Sequence, residues 1–120
     1  MTYARNDAVG RYGEQVAAAH LREAGMVILA TRWSCRYGEI DLIALDAGAV
    51  VFCEVKTRTN DRYGTPAEGV SSLKAARLRR AAALYLQSHD LGDVAVRMEV
   101  VSVRIPPRGA AVVERTSGVA

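Results

Sequence analysis

Two stretches of strand-forming residues, "GEIDLIALD" (Gly38–Asp46) and "AVVFCEVKT" (Ala49–Thr57), meet at the turn-forming cluster Asp46-Ala47-Gly48. This arrangement predicts an antiparallel hairpin, and its charges select the register. Alternate side chains of a strand share a face. Glu39, Asp41 and Ile43 therefore lie opposite Ile40, Leu42 and Ala44, while Phe52, Glu54 and Lys56 lie opposite Val51, Cys53 and Val55. Pairing at an index sum of 95 sets Asp41 against Glu54, Glu39 against Lys56 and Ile43 against Phe52, with Asp46 to Ala49 as a four-residue loop. That register gathers the charges on one face and the aliphatic residues on the other. A sum of 94 would send the two charged sets to opposite faces unless a bulge intervened.

The selected register has an electrostatic cost. Directly opposed Asp41 and Glu54 would bring their Cβ atoms to about 4.5–5.5 Å, where like charges repel. Either one carboxyl takes up a proton or a cation sits between them. Mg²⁺, which takes oxygen ligands at about 2.0–2.1 Å, suits such a gap. Lys56, two residues beyond Glu54, would point at the same place, where an ammonium could steady a phosphate or position a water. The competing reading is a solvated sheet face, on which Glu39 and Lys56 form an ordinary surface pair. Ile43 and Phe52 on that face argue that it is covered.

Around the hairpin the chain reads as one domain. Helical spacing over about Asp7–Glu23 places Val9, Val16, His20, Leu21 and Ala24 on one side, with Gly25 to end the helix. "MVILATRW" (Met26–Trp33) reads as a strand. Ser71 or Ser72 caps a second helix to about Ser88, with Leu73, Ala76, Ala81, Leu84 and Tyr85 inward. "VAVRMEVVSVRI" (Val94–Ile105) is another strand. The order α-β-β-β-α-β predicts an α/β domain, a mixed central sheet flanked by helices, over residues 1–105. Residues 106–120 form a C-terminal extension in which "AAVVERT" adds a short last strand before a frayed tail.

At 120 residues, 50% apolar and 24% charged, the composition is globular rather than disordered. No run approaches the roughly 18 apolar residues of a membrane span, and "MTYARNDAVGRYGEQ" has no apolar signal segment, so a cytoplasmic protein with no membrane partner is expected. Cys35 and Cys53 show neither zinc nor disulfide spacing, and Cys53 reads as a small buried hydrophobe. His20 and His89 lack a second ligand at metal spacing and read as structural. The net charge of +3 and pI near 9.1 permit a nucleic-acid partner. Of 16 basic residues only Lys56 and Lys74 are lysines; Arg suits bidentate phosphate contact, although a general preference for Arg would look the same.

"RYGEQVAAAHL", "GEIDLIALD", "VFCEVKTR", "YGTPAEGV" and the following Lys74, taken together in order and spacing, resemble the YraN-like family of small bacterial proteins. That family looks like the restriction-endonuclease-like PD-(D/E)XK nucleases, close to archaeal Holliday-junction resolvases. The resemblance covers about Gly10 to Val103. It implies Asp41 and Glu54 as metal-binding acids, Lys56 as the lysine completing the motif, and Glu14 as a helix carboxylate that binds metal directly or through water. Glu39 would be an additional acid supporting the site. Lys74, with Arg77, Arg79 and Arg80 around it, would contact phosphates. The chain departs from the family pattern in three places. It reads Arg97-Met98-Glu99 where R-x-D is usual, carries Arg32 where an Asn is usual, and places Cys53 where an aliphatic residue is usual.

The function expected on these grounds is Mg²⁺- or Mn²⁺-dependent phosphodiester hydrolysis on DNA, with branched or single-stranded repair and recombination intermediates as substrates. Asp41, Glu54 and Lys56 would be catalytic, Asp41, Glu54 and Glu14 would hold the metal, and Arg58, Arg62 and Lys74 would bind nucleic acid, with Tyr63 in the same loop. A cutter of four-way junctions would be a homodimer, by the junction's two-fold symmetry. The alternatives are a nucleic-acid-binding module without catalysis in a repair assembly, and a small structural protein whose charged strand face meets a partner.

Overall fold

The hairpin turn needs only two residues. In the computed structural model, which describes residues 2–59 and 71–118, Ala47 (φ 48°) and Gly48 (φ 91°) both lie in the left-handed region. This is the backbone that a two-residue turn between right-twisted strands demands. Pairing therefore continues to Asp46↔Ala49, and the expected four-residue loop shortens to Ala47-Gly48. The register itself is the one expected: Leu45↔Val50, Ala44↔Val51, Ile43↔Phe52 and Leu42↔Cys53 all sum to 95.

The elements follow the expected order. They are α1 (Thr2–Glu23), β1 (Val27–Cys35), β2 (Gly38–Asp46), β3 (Ala49–Arg58), α2 (Ser72–Ser88), β4 (Ala95–Arg104) and β5 (Val112–Ser117). Helix α1 begins earlier than the apolar spacing indicated. It ends as expected at Gly25 (φ 93°), where the Gly25 amide donates to the Arg22 carbonyl and the Met26 amide to Leu21. This is the paired C-terminal bond pattern that a left-handed glycine permits. At the start of α2 the Ser71 hydroxyl accepts from the Lys74 amide at 3.1 Å, satisfying one of the free amides of the first turn.

The five strands form one mixed sheet in the order β1-β2-β3-β4-β5. β3 and β4 are parallel, joined through α2, and the other neighbours are antiparallel. Each face carries one helix. Ala17, Ala18 and Leu21 of α1 pack with Leu42, Ala44, Val51, Cys53, Val101 and Val103, whereas Ala81, Ala82 and Tyr85 of α2 pack with Ile43, Val50 and Phe52. Leu73, expected inward, is 74% exposed, and Ala75 and Ala82 are buried in α2 instead. Cys53 is fully buried, and burial chiefly pushes its thiol up to about 12. Trp33 meets Tyr85 edge-on at 5.2 Å, and His89 stacks on Tyr85 at 3.9 Å. His89 thus has the packing role expected of it. No helix among the described residues is long and apolar enough to cross a membrane.

Two contacts set how closely the parts approach. Gly13 faces Thr57 so tightly that an added Cβ would stand 2.7 Å from Thr57 Cγ2, so α1 crosses β3 at a separation only glycine allows. At the other end of the sheet, Glu99 is 1% exposed. Arg115 of β5 grips it through two 2.9 Å bonds, Nε to Oε1 and Nη2 to Oε2. Arg97 Nε adds a third at 2.9 Å, while Arg97 Nη2 reaches Asp46 at the hairpin turn at 2.8 Å. Burial alone would raise the Glu99 carboxyl, but the hydrogen bonds and charges of Arg115 and Arg97 outweigh it and hold the group below its usual value. The Arg97-Met98-Glu99 departure is thus a clamp tying β5 and the hairpin to β4.

Removing the buried carboxylate takes from Arg115 its partner and from Arg97 one of two, but both guanidinium groups stay partly open to water. Glu99→Ala should lower unfolding free energy by about 1.5–3 kcal/mol in urea titrations, the worth of its charged hydrogen bonds. A loss below about 1 kcal/mol would place the cluster among solvated surface pairs instead.

Candidate active site

The β2–β3 ladder ends at Leu42↔Cys53. One step further, at Asp41, the ladder with β1 is interrupted too. It runs through Thr31↔Leu42, passes over Arg32 and Asp41, and resumes at Trp33↔Ile40. Arg32 sits there at φ 50°, a conformation L-residues rarely adopt and Asn tolerates best. The interruption reverses the alternation of β2. Ile40 packs with Ile43 and Phe52 in the α2-side core, not with Leu42 and Ala44 as strict alternation predicts.

This irregularity builds the site. Freed from its ladder, Asp41 Oδ2 accepts the Val55 amide at 2.8 Å, supplying the bond that a continued β2 would have made. Glu54 lies near enough to act on Asp41 through a side-chain hydrogen bond and through its charge. Burial is the main cause of a shift that pushes Asp41 up to about 8; the Val55 amide opposes it, and the charges of Glu54 and Glu14 add to it. The expected conflict between Asp41 and Glu54 is therefore present, though the two meet just past the end of the ladder rather than as a paired rung. The expected Glu39–Lys56 rung does not form. Glu39 pairs with Ser34 of β1 and lines a small cleft with Tyr37, Glu54, Lys74 and Arg77.

Four elements converge here. Glu14 comes from α1, set over β3 by the close Gly13–Thr57 crossing, and Arg32 Nε donates to its Oε1 at 2.7 Å. Asp41 comes from β2, and Glu54 and Lys56 from β3. Lys74, in the first turn of α2, places Nζ 3.4 Å from Glu54 Oε1. The Lys56 ammonium holds its proton less tightly than usual, through burial first and then the neighbouring Lys74. The charge of Arg58 bears on Lys56 in the same direction. Arg62 and Tyr63 lie outside the described residues. Motif spacing did not reveal the Arg32–Glu14 and Lys74–Glu54 pairs.

Among the described residues, no group of three or more His, Cys, Asp or Glu side chains forms a ready metal cage. The donors that do meet are two hard carboxylates, Asp41 and Glu54. That set fits Mg²⁺ or Mn²⁺, which are held by one or two carboxylates and fill the remaining positions with water and substrate oxygens.

The order and spacing of these residues can be compared with known proteins. The model of "Uncharacterised protein family UPF0102" matches residues 13–103. A UPF0102 protein of Frankia alni is 48% identical over 118 residues, covering 98% of each chain. The chain belongs to the UPF0102 family. Further UPF0102 proteins, from Kineococcus radiotolerans and Streptomyces griseus, are each 48% identical, over 114 and 113 residues. The UPF0102 match begins at Gly13 and ends at Val103, so it takes in Glu14, Asp41, Glu54, Lys56 and Lys74 together.

Asp41 makes the metal-free protein sensitive to pH in a defined direction. The folded state keeps a proton up to about 8 that the unfolded chain releases near 4. The stabilisation is complete below that range and lost as pH rises toward 8. Asp41→Asn removes the effect. In EDTA it should melt several degrees above the parent at pH 8.5 and nearly level with it at pH 4; an offset that does not change with pH would contradict the shift.

Proposed function

We propose that this UPF0102 protein is a Mg²⁺- or Mn²⁺-dependent phosphodiesterase acting on nucleic acid, DNA in the first instance, built on a restriction-endonuclease-like core. One observation carries the reading. Asp41 and Glu54 stand together in a partly buried gap where Asp41 holds its proton far above the usual carboxylate range, and Lys56 follows two residues on along the same strand. The hairpin, the β3-α2-β4 parallel crossover and the helix carboxylate Glu14 support the fold assignment.

Each residue has a role that its position supports. Asp41, oriented by the Val55 amide, and Glu54 would hold the ion. When bound, the ion supplies positive charge against the phosphate and makes a water more acidic. Lys56 brings a second positive charge to the side where negative charge grows on the phosphate. Lys74, already beside Glu54, offers a third cation to the substrate backbone. Glu14 reinforces the negative potential that draws the ion in, while Arg32 fixes its side chain. Branched and single-stranded repair intermediates are the substrates to try first.

A second reading, a nucleic-acid-binding module without catalysis, is favoured by the engagement of Glu14 with Arg32 and of Glu54 with Lys74. In that reading the acids serve the fold and the cations serve the ligand.

Labelled branched and single-stranded DNA incubated with Mn²⁺ separates the two. Cleavage should occur, vanish in EDTA and in Glu54→Ala, and slow about a hundredfold or more in Lys56→Ala. Binding without cleavage under every divalent metal would transfer the assignment to the module. Cleavage undiminished in Glu54→Ala would dismiss this site altogether.

A further inference from the structure

On the α1 side of the sheet, away from Lys74 and α2, a groove of about 330 Å³ runs between α1 and β1. Its walls carry three guanidinium groups, Arg11 and Arg22 from α1 and Arg32 from β1, together with Gln15 and Thr31. Arg11, Gln15, Ala18 and Arg22 recur at spacings of four, three and four, so α1 presents them along one stripe. From Arg11 to Arg22 the stripe is about 16 Å long, the rise of roughly five stacked nucleotides of one strand.

The arginines retain donors for a ligand. Arg11 and Arg32 each use Nε for a carboxylate, Asp7 and Glu14 respectively, and a guanidinium has two further nitrogens. The Arg11–Asp7 pair is exposed on both sides, 62% and 57%, and such a pair yields readily to a stronger partner. Arg22 is exposed and has no ion-pair partner among the described residues. Against these three positive charges the groove wall itself holds one carboxylate, Glu14.

The groove also adjoins the candidate active site through Glu14. Glu14, whose charge acts on Asp41, lines it, and so does Leu42, the residue after Asp41. A chain of anions lying along α1 would therefore pass beside Glu14, close to Asp41.

We propose that the α1–β1 groove is a track for the phosphate backbone of one nucleic-acid strand, with Arg11, Arg22 and Arg32 as its contacts, leading the strand to the site. This rests on the phosphodiesterase reading for its partner, but it names a surface on the opposite side of the sheet from Lys74 and its neighbouring arginines. Single cations set apart along a groove beside a phosphate-directed site suit an extended polyanion better than an acidic protein.

The test is fluorescence anisotropy of the full chain with labelled single-stranded and duplex DNA, in EDTA, over a range of NaCl concentrations. Each lost phosphate contact lowers the slope of log affinity against log salt by about 0.7 for single strands and about 0.9 for duplex. Arg22→Ala should lower the slope by one such step and Arg11→Ala with Arg22→Ala by two. Arg108→Ala, an equal loss of one exposed charge on the β4–β5 connection, should leave it unchanged. Circular dichroism confirms that each variant is folded. If the parent binds DNA but the double variant keeps its slope, or Arg108→Ala loses as much per charge, the track is wrong while the phosphodiesterase reading stands. If the parent shows no salt-dependent binding to either form of DNA, both fall together.

Discussion

The bond from the Val55 amide to the Asp41 carboxylate governs this molecule's chemistry. A β-ladder uses its amides on its own carbonyls and leaves no carboxylate a reason to enter it. Here β2 parts from β3 one step beyond Leu42↔Cys53, and the unpaired amide is answered by a side chain instead. The carboxyl is thereby drawn from the sheet surface into the space between strands, where water is scarce and Glu54 is close. The price of that placement is an acid that resists ionisation, a difficulty that the proposed cation would relieve.

The opening is held from both faces. α1 contributes Glu14 and α2 contributes Lys74, so groups on opposite sides of the sheet reach one point only because the sheet is parted there. Arg32 shows how the two sides are linked. Its left-handed backbone belongs to the break in β1–β2 pairing, and its guanidinium belongs to Glu14. A single residue thus couples the irregularity of an edge strand to the orientation of a helix carboxylate.

Much of this was legible in the chain. The period-two alternation of β2 and β3 yielded the correct register, because one face had to be apolar, and the Ser71 cap and Gly25 stop follow from local backbone chemistry. The illegible parts are those where tertiary contacts override local pattern. Ile40 turned to the α2 face because the strand is interrupted at Asp41, which no alternation can announce. Leu73 stayed exposed because the helix start is placed by its cap and by the reach of Lys74 to Glu54, not by its apolar residues. The hairpin closed with two residues because Ala47 accepts a left-handed backbone that propensity would assign to glycine. Glu99 read as a substitution in a late strand; Arg97 shares its face two residues back, but Arg115 stands 16 residues away and reaches it only through β4–β5 pairing.

The crossing of α1 over β3 has a mechanical side. Where Gly13 meets Thr57 the two backbones stand as near as atoms permit, so the helix has no slack to rock toward the sheet. Glu14 rides on the next residue. The carboxylate is therefore mounted on a rigid bearing, and a load applied along the outer stripe of α1 reaches it as displacement of a stiff lever rather than being absorbed by soft packing. Grip and chemistry, as proposed, share one rigid part.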